Sequence, residues 1–156
     1  MKRKIFNIFL VLMSMLTIFL FSSENATSST KTSKSVAKEV ISVVIKDKKK
    51  VDKIVDKDFK VIRKMAHLTE YFLLGFLLIN VWADGKKDIT VKYIVVAVLI
   101  AALYAGSDEY HQTLVAGRAG QIVDVGIDTF GAMLGSIFYY MLFKIYKNKN
   151  KKLNKT

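Results

Sequence analysis

Four long apolar segments alternate with polar segments that are rich in lysine. The apolar segments cover residues 5–21, 65–83, 91–107 and 122–143, and each has 17 to 22 residues. A transmembrane helix needs about 20 mostly apolar residues, with a range of about 17–25. The pattern therefore predicts an all-α integral membrane four-helix bundle with polar connecting segments.

The first apolar segment fits two kinds of N-terminal targeting sequence. Basic residues 2–4 precede it and small residues such as Ser22 and Ser23 follow it, as in a cleaved signal peptide. Its apolar core of 17 residues is longer than the about 7–15 residues of most signal peptides. We therefore favour an uncleaved transmembrane helix or signal-anchor over residues 1–22. Either alternative exports the segment that follows.

The polar segment at residues 23–62 has a different pattern. Ser, Thr and Lys dominate residues 22–35, which predicts a flexible linker. Helical spacing of apolar residues follows in two stretches: Val36, Ala37, Val40, Ile41, Val44 and Ile45, and then Val51, Ile54, Val55, Phe59 and Ile62. These stretches predict short extracytoplasmic amphipathic helices at the membrane interface, which either cover the bundle or form a lid over a site.

Lysine and arginine residues set the predicted orientation in the membrane. Four spans place both termini on one side, together with Lys86, Lys87 and the basic tail at 147–156. Cytoplasmic segments carry the excess of basic residues, so we expect both termini in the cytoplasm of a multi-pass plasma-membrane protein. The exported segment at 22–64 opposes this orientation, because it contains twelve Lys or Arg residues against six acidic residues.

The composition excludes several classes of chemistry. The chain has no cysteine, so disulfides, thiolate nucleophiles and cysteine-bound zinc are excluded. The net charge of +12 fits lysines that flank membrane helices rather than nucleic-acid binding. The sequence has no nucleophilic serine motif, phosphate-binding loop or dinucleotide-binding fingerprint, and we predict no cofactor.

In the predicted orientation, ionisable and amide side chains collect at the outer ends of three spans. The second span begins with His67 and Glu70, the third ends with Asp108, Glu109, His111 and Gln112, and the fourth begins with Gln121, Asp124 and Asp128. Ionisable residues inside a membrane are costly and mostly face the bundle interior. We therefore predict one polar pocket that opens outward.

Asp128 lies on a helical track that continues to Gly131 and Gly135. Such a Gly-x-x-x-Gly face permits close helix packing, so the carboxylates of the fourth span should face protein rather than lipid. An Asp near the bilayer centre costs about 2.5–3.5 kcal/mol on insertion scales. We expect Asp128 to have a partner, and the candidates are Arg118, His67, Lys64 or a metal ion. A buried ion-pair network that only sets helix register is the alternative to a functional site.

Several short motifs occur in a specific order along the chain. They comprise Arg63, Lys64, Met65, Ala66, His67, Leu68, Thr69, Glu70 and Tyr71; then Ser107, Asp108, Glu109, Tyr110, His111 and Gln112; then Gly117, Arg118, Asp124, Asp128, Thr129, Phe130 and Gly131. This set resembles the VanZ-like family over residues 63–135, within a predicted VanZ-like membrane domain at 63–146. The chain departs from the family at Leu114 and Ala116, where an aromatic residue and a proline are common.

The resemblance implies which residues carry the function of the family. The positions that match its pattern are Lys64, His67, Tyr71, Glu109, Gln112, Arg118, Asp124, Asp128, Gly131 and Gly135. The family takes its name from glycopeptide resistance, notably to teicoplanin, so the resemblance implies a role in the cell envelope. No accepted reaction comes with the family.

The first functional hypothesis is a binding protein of the cell envelope. Lys64 and Arg118 would hold an anionic lipid or a lipid-linked cell-wall headgroup, because basic side chains suit phosphate and carboxylate groups. The predicted ligand-binding set is Lys64, Glu70, Tyr71, Gln112, Arg118 and Asp128. The predicted partners are a membrane lipid or a lipid-linked cell-wall component, without nucleic acid, and a second copy of the chain in a homo-oligomer.

The second hypothesis is an intramembrane enzyme acting on such a headgroup, with His67, Glu109 and Asp124 as catalytic candidates. His67 and Glu109 would form an acid–base pair; alternatively, His67, His111, Glu70 and Glu109 would hold a divalent metal and its water. The metal signal is weak, because the chain has no His-Glu-x-x-His motif, and we expect His111 to be an exposed loop residue. A proton-coupled transporter is disfavoured, because the polar residues are confined to one side of the predicted bilayer.

Overall fold

The computed structural model describes residues 2–24, 26–86, 88–118 and 120–153, without the side chains of residues 26–29, 60 and 151–153. Five helices occur in this part of the chain: α1 (Lys2–Ser23), α2 (Ala26–Val44), α3 (Lys48–Ala83), α4 (Val91–Thr113) and α5 (Ile122–Leu153). The described residues contain no β-strand. The predicted all-α fold is confirmed.

Among the described residues, four helical segments are long and apolar enough to cross a membrane: Lys2–Ser23, Val61–Ala83, Val91–Thr113 and Ile122–Asn150. They correspond to the four predicted spans. Both α4 and α5 continue beyond the apolar segments that predicted them. Their polar ends remain helical because Glu, Gln and Lys are good helix formers, although these residues end an apolar run.

The two predicted amphipathic stretches are helical, in α2 and in the first part of α3. Asp47 caps α3, and its carboxylate accepts two backbone N–H groups of the first turn at 3.0 and 3.3 Å. The apolar faces of the two helices meet in a small core of Ala37, Val51 and Val55. Non-helical backbone at Asp58 (φ −109°, ψ 20°) separates this part of α3 from its membrane span. The extracytoplasmic location of these helices stays a prediction.

The predicted flexible linker at residues 22–35 is wrong from residue 26 onward, because α2 begins at Ala26. Ser and Thr have only modest helix propensity, which is why the segment resembled a linker. The apolar face of α2 packs against α3, and tertiary packing contributes more to helix stability than propensity does. An ion pair between Lys34 and Asp56, at 2.6 Å, adds to this contact.

The α3 and α5 helices pack closely through small residues. A Cβ atom added to Gly131 would meet the backbone carbonyl of Leu68, and one added to Gly135 would meet that of Phe72. Gly75 of α3 also lies against the neighbouring helix, since a Cβ atom added to it would meet the backbone of α5. The predicted close-packing role of the Gly-x-x-x-Gly face is therefore confirmed.

The first helix, α1, packs against α3 and α4 as a member of the bundle. Ile18 is buried, and the hydroxyl of Tyr104 donates to the backbone carbonyl of Met15 at 2.6 Å. The buried face of α4 consists of small residues, Ala97, Ala101 and Ala105. The retention of α1 as an uncleaved membrane helix stays a prediction.

Ion pairs gather three segments at one end of the bundle, which we call the basic end. Arg3 of α1 pairs with Asp84 at 3.2 Å. Lys144 and Lys147 of α5 pair with Asp88 at 2.7 and 2.8 Å. Their ammonium groups, that of Lys144 foremost, hold the pKa of Asp88 well below its usual range. The start of α1, the α3–α4 turn and the later part of α5 therefore lie together. The cytoplasmic location of this end stays a prediction.

Candidate functional site

The predicted polar residues converge at the opposite end of the bundle, which we call the polar end. The buried polar side chains there are Tyr71 of α3, Asp108, Glu109 and Gln112 of α4, and Asp128 of α5. The carboxyl of Asp128 lies within electrostatic range of Asp108, Glu109, Asp124 and Glu70. Asp128 is 1% exposed, which confirms that its carboxyl faces protein rather than lipid. Three spans thus contribute polar groups to one region.

A buried hydrogen-bond network joins α1 to α4. The hydroxyl of Ser22 donates to Oδ2 of Asp108 at 2.7 Å. The side-chain amide of Gln112 donates to the same carboxylate oxygen and to the Ser22 hydroxyl, both at 3.0 Å. The predicted ligand-binding set includes Gln112 but omits Ser22 and Asp108. The four-residue spacing of Asp108 and Gln112 is a sequence signal for that pair, whereas nothing in the sequence indicates Ser22 as their partner.

Glu109 caps the start of α5. Its Oε2 accepts the backbone N–H of Gln121 at 2.7 Å, which satisfies one of the N–H groups that a helix N-terminus leaves unpaired. A Cβ atom on Gly120 would lie 2.8 Å from the Glu109 carbonyl oxygen, so the chain passes very close to Glu109 here. Among the contacts of the described residues, none joins Glu109 to His67, the predicted acid–base pair. The geometry gives Glu109 a positioning role.

Lys64 and Asp124 form an ion pair between α3 and α5, with 2.5 Å between Nζ and Oδ1. The Lys64 side chain is 41% exposed and that of Asp124 is 25% exposed, so the pair lies at the rim of the polar end. Asp124, a predicted catalytic residue, therefore orients the ammonium group of a predicted ligand-binding residue.

Arg118 closes the end of α1. Its Nη1 and Nη2 groups donate to the backbone carbonyls of Ser22 and Phe21 at 3.0 and 3.1 Å, where the helix dipole favours positive charge. Burial, and then the positive charge of Arg63, lowers the pKa of Arg118, while nearby carboxylates oppose this shift. Arg63 therefore lies within electrostatic range of Arg118. The predicted site omits Arg63, although its position beside Lys64 in the same motif is a usable signal.

The two histidines have separate surroundings. Nδ1 of His67 lies 3.7 Å from Oε2 of Glu70, one turn further along α3. His111 lies in the last turn of α4, contrary to the expectation of a loop residue. Its ring contacts Phe19, with centroids 4.8 Å apart, and its Nε2 lies 3.2 Å from the Ser23 hydroxyl. Among the described residues, no group of three or more His, Asp or Glu side chains is arranged to hold a metal ion. The four-residue metal set is not assembled.

At the polar end, four buried polar atoms on three spans have no hydrogen-bond partner among the described residues. They are Nδ1 of His67, the hydroxyl of Tyr71, Oδ1 of Asp108 and Oδ1 of Asp128. A buried polar group left unpaired costs about 1–3 kcal/mol. The expected partners of Asp128 do not supply a donor to this Oδ1 atom, and Lys64 pairs with Asp124 instead.

A surface groove of about 410 Å³ lies between α2 and the first part of α3. Its lining includes Thr30, Lys34, Asp56 and Phe59, and none of the predicted site residues. The outward-opening pocket predicted over the polar residues therefore stays a prediction. What the structure places at the polar end is a buried cluster with a partly exposed rim.

Comparison with known proteins gives a match to a protein family. A family model described as VanZ/LLP1 matches residues 6–144. The match runs from α1 into α5 and includes every residue of the polar end named above. No curated protein and no solved structure matches the chain. Since the family model covers most of the 156 residues, this multi-pass membrane protein belongs to the VanZ/LLP1 family.

Proposed function

We propose that the protein binds the anionic headgroup of a cell-envelope lipid or a lipid-linked cell-wall component through Arg63, Lys64 and Arg118, which we call the basic rim. One electrostatic observation carries the proposal. Arg63 lies within electrostatic range of the partly buried Arg118: burial, and then the positive charge of Arg63, lowers the pKa of Arg118. A phosphate or carboxylate group bound between them would replace this repulsion with charge-assisted hydrogen bonds.

Apolar side chains beside the basic rim favour a ligand with a hydrocarbon chain. Met65, next to Lys64, is 55% exposed, and Ile122 and Val123, close to Asp124, are 88% and 62% exposed. Exposed apolar side chains on a membrane-spanning helix face the acyl chains of the bilayer. A headgroup at the basic rim would therefore place its hydrocarbon chain against these residues.

Existing contacts hold the basic rim in position. Asp124 orients Lys64, and the carbonyls at the end of α1 orient Arg118. Preorganised donors reduce the entropic cost of binding. Membership of the VanZ/LLP1 family supports a role of this headgroup binding in the cell envelope. A protein that holds such a headgroup would change how glycopeptides such as teicoplanin reach the cell wall.

Binding of a polyprenyl diphosphate to the full-length protein in zwitterionic nanodiscs tests the proposal. Arg63→Gln is expected to weaken binding about tenfold or more, because a hydrogen bond to a charged group contributes about 1.5–3 kcal/mol. Lys86→Gln is the matched control, because Lys86 is an exposed base at the basic end. Inorganic diphosphate as a competitor distinguishes recognition of the headgroup from recognition of the chain. Unchanged affinity in Arg63→Gln and in the Arg63→Gln, Lys64→Gln double variant would overturn the proposal.

The same variants report on the role in the envelope. A deletion strain that carries Arg63→Gln is expected to keep the teicoplanin susceptibility of the deletion, whereas Lys86→Gln should restore that of the parent. If a variant that no longer binds the headgroup fully restored the teicoplanin susceptibility of the parent strain, susceptibility would not depend on headgroup binding.

Chemistry on the bound headgroup is a second candidate function, and one observation favours it. His67 lies within electrostatic range of Asp108 and Asp124, and its side chain is 19% exposed, so a group able to transfer protons borders the rim. Mass spectrometry of the lipid after incubation distinguishes the two functions. An altered headgroup that is absent with His67→Gln, while binding is retained, would indicate an enzyme.

A further inference from the structure

Two carboxyl groups, Asp108 and Asp128, and one tyrosine hydroxyl are buried inside the bundle. We call the two carboxyl groups the carboxyl pair. Tyr71 comes from α3, Asp108 from α4 and Asp128 from α5. These residues are 0%, 3% and 1% exposed. Within the described part of the chain, the Tyr71 hydroxyl and Oδ1 of both aspartates have no hydrogen-bond partner.

The three groups interact electrostatically. Both carboxyls lie within electrostatic range of the Tyr71 hydroxyl, and Asp128 lies within range of Asp108. Two carboxylates in a desolvated site repel each other unless a cation or a proton compensates their charge. Lys64 forms its ion pair with Asp124. Arg118 lies within electrostatic range of Asp108, but no described residue donates a hydrogen bond to Oδ1 of Asp108 or to Oδ1 of Asp128. A small ion bound at these two oxygen atoms would compensate the remaining negative charge.

We propose that Tyr71, Asp108 and Asp128 form a binding site for one monovalent cation, either Na⁺ or a proton, inside the helix bundle. Intramembrane carboxyl groups bind such ions in other membrane proteins. The Tyr71 hydroxyl and the two carboxyl groups offer at most five oxygen atoms, fewer than the six to eight oxygen ligands that a divalent ion such as Ca²⁺ takes. The site uses different side chains from the basic rim and does not depend on headgroup binding.

Other titratable groups face the pair from the elements packed around it. They are His67 and Glu70 on α3, Tyr104 and Glu109 on α4, Asp124 on α5, and Arg118 in the α4–α5 link. From α1, the Ser22 hydroxyl faces the carboxyl pair and donates a hydrogen bond to Asp108. Because several groups nearby can titrate, a pH response is attributed to the carboxyl pair by substituting one of its members. Asp128→Asn does this, since asparagine has almost the same shape as aspartate.

Thermal unfolding of the full-length protein in detergent, followed by the fluorescence of Trp82, tests the site. Na⁺ binding is expected to raise Tm by about 3–6 °C for each tenfold increase in NaCl, with choline chloride holding the ionic strength constant. Proton binding is expected instead to raise Tm as the pH falls from about 8 to about 6, because the folded state then keeps a proton that the unfolded state releases. Either response supports the site and identifies the ion.

Substitutions connect the response to the carboxyl pair. Asp128→Asn should abolish whichever response the wild-type protein shows, and it should have a higher Tm than the wild type at about pH 8 without Na⁺. Asp88→Asn, which removes a carboxylate at the basic end, should keep the response. Equal responses in the wild type and Asp128→Asn would overturn the proposal, as would a wild-type protein that responds to neither ion. Should Asp128→Asn fail to fold, Asp108→Asn is judged by the same criteria.

Discussion

Ser22 shows how one small polar side chain connects two helices of this bundle. Its hydroxyl donates to Asp108 and accepts from Gln112, and the residue is fully buried. A hydrogen bond to a charged group contributes about 1.5–3 kcal/mol in soluble proteins, whereas interhelical hydrogen bonds in membrane bundles average about 0.6 kcal/mol. Because its acceptor is charged and the residue is fully buried, we expect the hydrogen bond of Ser22 to contribute more free energy than that average.

Ser22→Ala is expected to lower the free energy of unfolding by about 1–2 kcal/mol, because the variant removes a donor to the buried Asp108 carboxylate. Ser107→Ala is the matched control and should change stability little. Ser107 is exposed on α4, and its hydroxyl donates only to the backbone carbonyl of Tyr104, at 2.7 Å. Denaturant unfolding in detergent, followed by circular dichroism, measures both variants. Equal free energies of unfolding for Ser22→Ala and Ser107→Ala would show that the Ser22 network does not stabilise the protein.

At the scale of whole helices, glycines control how closely α5 approaches α3. A Cβ atom on Gly135 would meet the backbone carbonyl of Phe72, whereas one on Gly126 would have no atom within 4 Å. Both glycines lie inside α5, so a substitution has the same effect on helix propensity at either position. The difference between the two positions therefore isolates the packing of the helix pair.

Opposite effects are expected from alanine at these two positions. Gly135→Ala should destabilise the protein by about 1–3 kcal/mol, because backbone atoms of α3 must move to accept the methyl group. Gly126→Ala should be neutral or stabilise the protein by up to about 1 kcal/mol, because alanine is the better helix former. Thermal unfolding of the two variants in the same detergent gives the comparison. A Gly135→Ala variant as stable as Gly126→Ala would contradict the packing described for α3 and α5.

For the molecule as a whole, orientation in the membrane depends on which end of the bundle faces the cytoplasm. Ion pairs place the start of α1 and the later part of α5 together at the basic end of the bundle. The basic residues of that end favour the cytoplasm. The segment at 22–64, with twelve Lys or Arg residues, begins and ends at the polar end and would then be exported against the rule.

Cysteine labelling in intact cells resolves this conflict, because the chain has no cysteine of its own. Ala116→Cys, in the exposed α4–α5 link, is expected to react with a membrane-impermeant maleimide from outside. Lys86→Cys and Asn148→Cys, at exposed positions toward the basic end, should react only after the cells are permeabilised. Labelling of Lys86→Cys but not Ala116→Cys in intact cells would invert the proposed topology and would place the basic rim in the cytoplasm.

Features that depend on local pattern were predictable. Apolar segments of 17 to 22 residues predicted the four spans, because the hydrocarbon core of a bilayer demands that length. The spacing of Gly131 and Gly135 predicted their close packing, since residues four apart share one face of a helix. The order of the polar motifs predicted the VanZ family, which the family match over residues 6–144 confirms.

Pairing between helices was not predictable from local pattern. Ser22 and Asp108 are 86 residues apart, and their contact depends on the rotation and depth of α1 relative to α4. The same two variables select Asp124 rather than Asp128 as the partner of Lys64. Rotation and depth arise only when all the helices pack together, because each helix adjusts to the surfaces of its neighbours. The packed bundle, and not residue spacing, therefore made Glu109 a helix cap and brought Asp108 and Asp128 within electrostatic range of Tyr71.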